Sequence, residues 1–176
     1  MSSNGLNYSF LERDQPFFLQ DLWKRLNPSL WPLRLDDFPE GSALVGGALR
    51  DALMGIKHNR LDLDFIVPAD AINLTRSFAI NHGGTCVVLD EDRDIGRVVI
   101  GQWTIDISSQ AGKNLEEDLF KRDFSLNAIA LTLAKDSRVV DPTSGLIALS
   151  KKLLIAISEK NLVDDPLRLL RALRFK

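Results

Sequence analysis

The sequence predicts an α/β (α+β) domain, a mixed sheet with helices packed on it. Three observations predict it. Apolar runs of strand length alternate with segments of helical periodicity. Three of those runs, between residues 85 and 107, follow one another directly, so the sheet is not purely parallel. The composition, 45% hydrophobic and 26% charged over 176 residues, is that of a chain able to bury one real core.

The elements follow in order. Residues 1–14 are polar and read as loose. "PFFLQDLWKRL" sets Phe18, Leu22 and Leu26 at helical spacing with Trp23 beside them, a short amphipathic helix. "NPSLWP" and "DDFPEGS" are punctuated by proline and glycine and read as loop. "ALVGG" is a strand ending in two glycines, and "ALRDALMG" a helix stopped at Gly55. "LDLDFIV", residues 61–67, is the next strand, closed by Pro68. "ADAINLTRSFAINHGG" is a helix with a glycine stop, and "TCVVLD", "GRVVIG" and "WTIDIS" are strands joined by tight turns. "NLEEDLF" opens a helix that Asn114 can cap, with Glu117 completing a box-like pattern. "AIALTLA" and "RVVD" pair as a hairpin, "DPTSG" is a turn, and "DDPLRLLRALRFK" is helical. In that last helix Leu167, Leu170 and Leu173 line an apolar side that needs a partner and no stop signal follows, so the chain reads as the front part of a longer protein.

The formal net charge is −2, so contact with nucleic acid has to come from local basic patches. One cysteine, Cys86, excludes an internal disulfide framework and suits a reducing, cytoplasmic compartment. No apolar run approaches a membrane span, and "MSSNGLNYSF" does not read as a secretion signal. The oligomeric state is left open.

The acidic pair of "LDLDFIV" carries the first chemistry. Side chains alternate along a strand, so Asp62 and Asp64 share one face while Leu61, Leu63 and Phe65 take the other. A solvated strand face gives the same alternation. The apolar flanks argue for an inner strand, where a carboxylate has to be neutralised. No lysine or arginine alternates with the pair, which leaves a hard divalent cation such as magnesium as its partner. Asp106, flanked by Ile105 and Ile107, is a third acid alone on one face of an apolar strand. If its strand lies beside 61–67, three carboxylates converge in a site for two metals and in-line phosphoryl transfer. A salt-bridged strand-end aspartate is the equal alternative.

Gly46 and Gly47 stand between a strand and a helix start, where bare backbone and a helix N-terminus can approach a phosphate. Arg50 and Asp51 follow, either as nucleotide contacts or as ion-pair struts that fix the loop. In "LEEDLFKRDFSLNAIA", Arg122 can meet triphosphate oxygens. Asp123 and Asn127, at helical i, i+4 spacing, share a face and can bond ribose hydroxyls; a surface ion pair with a capping asparagine fits the same letters. In "DDPLRLLRALRF", Asp165 before Pro166 reads as a helix cap. Asp165 and Arg168 also set an acceptor beside a donor, matching the exocyclic amine and ring nitrogen of cytosine or adenine. Uracil and guanine reverse both groups, and a bidentate pair discriminates by roughly 1–3 kcal/mol. Arg171 and Arg174 continue the basic side toward phosphates.

Over about residues 43–176 these segments resemble, in order, the class II tRNA nucleotidyltransferases (CCA-adding and CC-adding) and bacterial poly(A) polymerases. "LVGGALRD…LDLDF" looks like the family's first motif, "EEDLFKRDFSLNAIA" its "DLxRRDFTINA" segment, "DPTSGLIALSKKLLIAI" the element after it, and "DDPLRLLRALRF" the base-reading "EDPLRxLRAxRF" motif. The resemblance implies a polymerase-β-type nucleotidyltransferase head over 41–157, preceded by an N-terminal arm over 1–40 and followed by the start of a helical neck over 158–176. It implies magnesium-dependent transfer of C and/or A from CTP or ATP to a tRNA 3′ end. Asp62, Asp64 and Asp106 would bind metal, and Asp165 and Arg168 would read the base. A poly(A) polymerase, or a nucleotide-binding module without catalysis, is the alternative. The sequence departs from the family pattern at Lys121 and Asp164 and in a slightly longer segment between Gly47 and Asp62. Only "ISSQAGKNLEE" separates Asp106 from "DLFKRD", which resembles CC-adding members and not those that add all of CCA. The neck, body and tail that bind tRNA in the family are expected beyond Lys176.

Overall fold

The computed structural model describes residues 16–56 and 62–173. Seven strands form one sheet in the order β3-β4-β5-β2-β1-β6-β7, with β1 Ala43–Val45, β2 Asp62–Val67, β3 Thr85–Asp90, β4 Ile95–Ile100, β5 Trp103–Ser109, β6 Ala130–Thr132 and β7 Val139–Val140. Among the described residues only β2 and β5 run parallel; the other five pairings are antiparallel. A parallel pair needs a crossover. Here it is helix α3 (Ala71–His82) followed by the β3–β4 hairpin, and α3 lies against β3, β4 and β5. The predicted mixed sheet is therefore mostly antiparallel, and "LDLDFIV" is an inner strand. Its first residue, Leu61, lies outside the described residues, as do residues 1–14 and Arg174.

Both faces of the central strands are covered, and strand alternation decides which residue goes where. Leu44, Leu63, Phe65, Val67, Ile105 and Ile107 enter the larger core. Ala43, Val45, Ile66, Ala130 and Val140 enter a smaller one with Leu119 and Ala128. The larger core also takes residues from the segment before the sheet. Helix α1 (Pro16–Leu26) buries Leu22 as predicted, with Phe18, Trp23 and Leu26 packed around it. The stretches read as loop also bury Trp31 and Phe38, with Leu33 buried between them, so proline punctuation there shapes core-forming turns. The Phe38 ring lies 4.4 Å from Phe65 and 5.2 Å from Phe78.

Helix α2 (Gly46–Leu53) starts directly on β1, two residues earlier than its alanine-rich part suggests. Helix α4 (Leu115–Phe120) is capped as predicted: Asn114 accepts from the Glu117 N–H at 2.9 Å. The return bond of the box goes one residue further back, from the Lys113 N–H to Glu117 at 2.9 Å. One predicted helical stretch is corrected. Asp123–Asn127 is not α-helical: α4 ends at Phe120, Phe124 bridges to Ala156, and Ser125–Asn127 forms a single 3-10 turn. Asp123 draws the chain tight there by accepting from the N–H of Phe124 at 2.8 Å. The C-terminal stretch, after α5 (Gly145–Ser150), is two short helices, α6 (Glu159–Asp164) and α7 (Leu167–Ala172). Asp165 sits extended between them, before Pro166, and caps α7 through the Leu167 N–H at 3.1 Å. Leu167, Leu170 and Leu173 are exposed.

Candidate active site

The parallel pairing sets Asp64 directly beside Asp106. Register partners in neighbouring strands face the same way, so Asp62, Asp64 and Asp106 share the face opposite Leu63, Ile105 and Ile107. All three line one open cavity of about 540 Å³, with Gly47, Arg50, Asn127 and Arg171 on its other walls. Burial and the charge of Asp106 raise the pKa of Asp64; Arg122 and the Gly47 N–H oppose that rise, and Asp62 adds to it.

The glycine bend closes on this acid. Gly46 has φ +76°, a conformation that L side chains rarely adopt, and a Cβ there would overlap the Asp64 carboxylate. Gly46 is thus required first by the approach of β2 to α2. The Gly47 N–H bonds Asp64, and Gly47 still lines the cavity.

A chain of polar contacts forms the opposite wall. Arg50 donates to Asn127 Oδ1 at 3.0 Å and pairs with Asp51 at 3.3 Å, so it is a strut that also faces the cavity. Asn127 donates to Asp123 Oδ1 at 3.0 Å, and Arg171 reaches Asp123 Oδ2 at 3.4 Å. Asp123 and Asn127 do meet, through a turn in place of a helix. Asn127 lines the cavity, whereas Asp123 is 3% exposed behind it and orients it. Arg122 acts on Asp64 through space and is paired with Asp118 at 3.3 Å.

Asp165 and Arg168 face each other at 3.5 Å but do not line this cavity. Arg168 Nη1 donates to the carbonyls of Lys121 at 2.8 Å and Asn161 at 3.0 Å, fastening α7 to the head. Arg171 links the two groups, 4.0 Å from Asp165.

Arg97 and Thr104 were missed. Arg97, on β4, donates to both oxygens of Asp106, Nε to Oδ1 at 2.6 Å and Nη2 to Oδ2 at 2.8 Å. The salt-bridged alternative for Asp106 is therefore realised alongside the convergence. A signal was present: the turn at Gly101 pairs Ile100 with Trp103, and stepping three residues away from the turn along each strand brings 97 opposite 106. Thr104 also lines the cavity unforeseen.

The donor set fits a hard divalent cation, because the three acids offer only oxygens and Asp64 is destabilised as a bare anion. The acids do not, however, close into a ready coordination sphere. Among the described residues no three His, Cys, Asp or Glu side chains are gathered to hold an ion, and both Asp106 oxygens are engaged by Arg97.

Residues 42–155 match the model of the poly A polymerase head domain. A CC-adding tRNA nucleotidyltransferase of Synechocystis sp. is 44% identical over 143 residues, 81% of this chain and 34% of that protein. An A-adding tRNA nucleotidyltransferase of Deinococcus radiodurans is 44% identical over 141 residues, 80% and 31% of the two chains. A CCA-adding enzyme solved with CTP superposes with a TM-score of 0.67 at 29% identity, covering 94% of this chain and 40% of that one. The chain spans about a third of the length of the curated relatives it matches. With a polymerase-β-type sheet, a family model covering most of the chain and relatives this similar, the chain belongs to the tRNA nucleotidyltransferase and bacterial poly(A) polymerase family, of which it carries the head domain.

Proposed function

We propose that the chain is the catalytic head of a cytoplasmic tRNA nucleotidyltransferase, transferring C and/or A from CTP or ATP to a tRNA 3′ end. The observation that carries this reading is the meeting of Asp62, Asp64 and Asp106 on one wall of a cavity whose other walls hold Gly47, Arg50, Asn127 and Arg171. The 3′-hydroxyl of the RNA gives up its proton to solvent as its oxygen attacks the α-phosphorus of the incoming nucleotide. The bond from that phosphorus to its bridging oxygen breaks, and diphosphate leaves with the electron pair.

Asp62, Asp64 and Asp106 would hold magnesium, which when bound polarises phosphoryl oxygens and lowers the pKa of the attacking hydroxyl. The chain's own groups bind and orient. Gly47 at the start of α2, with Arg50, Arg122 and Arg171 nearby, offers positive potential to the triphosphate. Asn127 uses one lone pair toward Arg50 and one proton toward Asp123, keeping a second of each for a ribose hydroxyl. Asp165 would accept from the exocyclic amine of the base and Arg168 would donate to its ring nitrogen.

The short β5–α4 connection favours CC addition. Its first two residues are fixed, by the Gln110 N–H on Val67 O at 2.9 Å and the Ala111 N–H on Asp118 of α4 at 2.8 Å. The test supplies each nucleotide separately to the full-length protein with a tRNA lacking its CCA end, and reads product length. Two C additions and a halt support the CC-adding reading. A single A added only to tRNA already ending in CC supports the A-adding one. Unlimited A on a generic RNA would replace both with a poly(A) polymerase, and no incorporation from any nucleotide would overturn catalysis.

A further inference from the structure

The acidic face carries a positive group that the proposed reaction leaves without a role. Arg97 is the register partner of Asp106, and its fork takes both oxygens of that one carboxylate at 2.6 and 2.8 Å. It lines the same cavity as Asp62 and Asp64, with a side chain 39% exposed. The other arginines nearby are spent elsewhere: Arg122 on Asp118, Arg171 on Asp123 and Asp165, and Arg50 on Asn127 and Asp51.

We propose that Arg97 is a built-in competitor of the divalent cation for Asp106, and so sets the cation concentration at which the site fills. This inference rests on the metal-binding reading of the three acids given above. A cation bound at Asp106 has two routes. It can sit beside the guanidinium, at the cost of repulsion between like charges, or it can displace the guanidinium and forfeit two short charge-assisted bonds. An arginine does not surrender its charge by losing a proton. Its long, partly exposed stem gives it somewhere to swing. The same fork explains why Asp106 can stand beside Asp64 without a bound cation, since it supplies the countercharge that β2 itself lacks.

The test measures Mn²⁺ binding to the chain by electron paramagnetic resonance, without nucleotide or RNA, for wild type, Arg97→Gln, Arg97→Lys and Asp64→Asn. Thermal unfolding checks each variant. The expected result is binding about three- to tenfold tighter in Arg97→Gln. Arg97→Lys, which keeps the charge but loses the fork, falls between it and wild type, and Asp64→Asn loses binding. Equal or weaker binding in Arg97→Gln, with Asp64→Asn still abolishing it, overturns the competition and leaves the metal reading standing. Binding that Asp64→Asn does not weaken overturns the metal reading and this inference together. Should Arg97→Gln fail to fold, Arg97→Lys decides alone: tighter than wild type supports the proposal, and equal or weaker overturns it.

Discussion

Burial and the charge of Asp106 raise the pKa of Asp64, so the folded state holds this carboxylate as an anion only at a cost. The sign follows from linkage. A raised pKa favours the folded state at low pH, and that advantage is lost as pH rises from the ordinary carboxylate range through the raised value. Asp64→Asn removes the charge and keeps an acceptor for the Gly47 N–H. It is expected to abolish nucleotide transfer while raising the melting temperature at pH 7 in chelator by about 2–4 °C, the equivalent of roughly 1 kcal/mol. The gain should vanish below about pH 4. Parallel melts at the two pH values and a transfer assay check this. The Asp62–Asp64 pair was legible because side-chain alternation is a local rule. Arg97 was legible only through the register that the Gly101 turn sets between β4 and β5, since β2 shows no basic residue of its own.

Between residue and fold, the elements hold one another by side chains borrowed across the sheet. Helix α3 has no cap from Asp70, which precedes it in a left-handed conformation. Its first N–H groups, on Ala71 and Ile72, are taken at 2.9 Å by Asp94 from the β3–β4 turn, which also accepts from the Ser109 hydroxyl. Burial pushes the Asp94 carboxyl upward, and these three donors together with the Asp70 N–H outweigh it, so its pKa is lowered. That stabilisation is present above the ordinary carboxylate range and is lost as pH falls below it. Asp94→Ala is expected to cost about 0.5–2 kcal/mol, the usual range for a lost helix cap. The difference from wild type in urea unfolding should shrink below about pH 4. The sequence made α3 legible by its period and its glycine stop, but a cap donated from another hairpin leaves no mark beside the helix. The turn at Asp123–Asn127 escaped for the converse reason: its spacing fits a helix, and only the bridge from Phe124 to Ala156 rules one out.

At the scale of the molecule, residues 16–40 complete the core under the active strands. Trp31, Leu33 and Phe38 are buried with Phe65, and the Trp23 Nε1–H donates to Ser137 across the fold at 2.9 Å. Phe38→Ala is expected to lower stability by roughly 3–5 kcal/mol, as for other buried aromatic truncations. Chemical unfolding should still show one cooperative transition, shifted to lower denaturant. Phe38 lies among proline, glycine and acids, so its local pattern says turn; its burial is set by Phe65 and Phe78, far along the chain. The one parallel pairing among the described residues, β2 with β5, governs when the three acids can come together during synthesis. Those neighbours meet only after a helix and a hairpin have been laid down between them, and distant pairing costs loop entropy before it is rewarded. A chain still emerging from the ribosome short of β5 therefore holds Asp62 and Asp64 without Asp106 beside them.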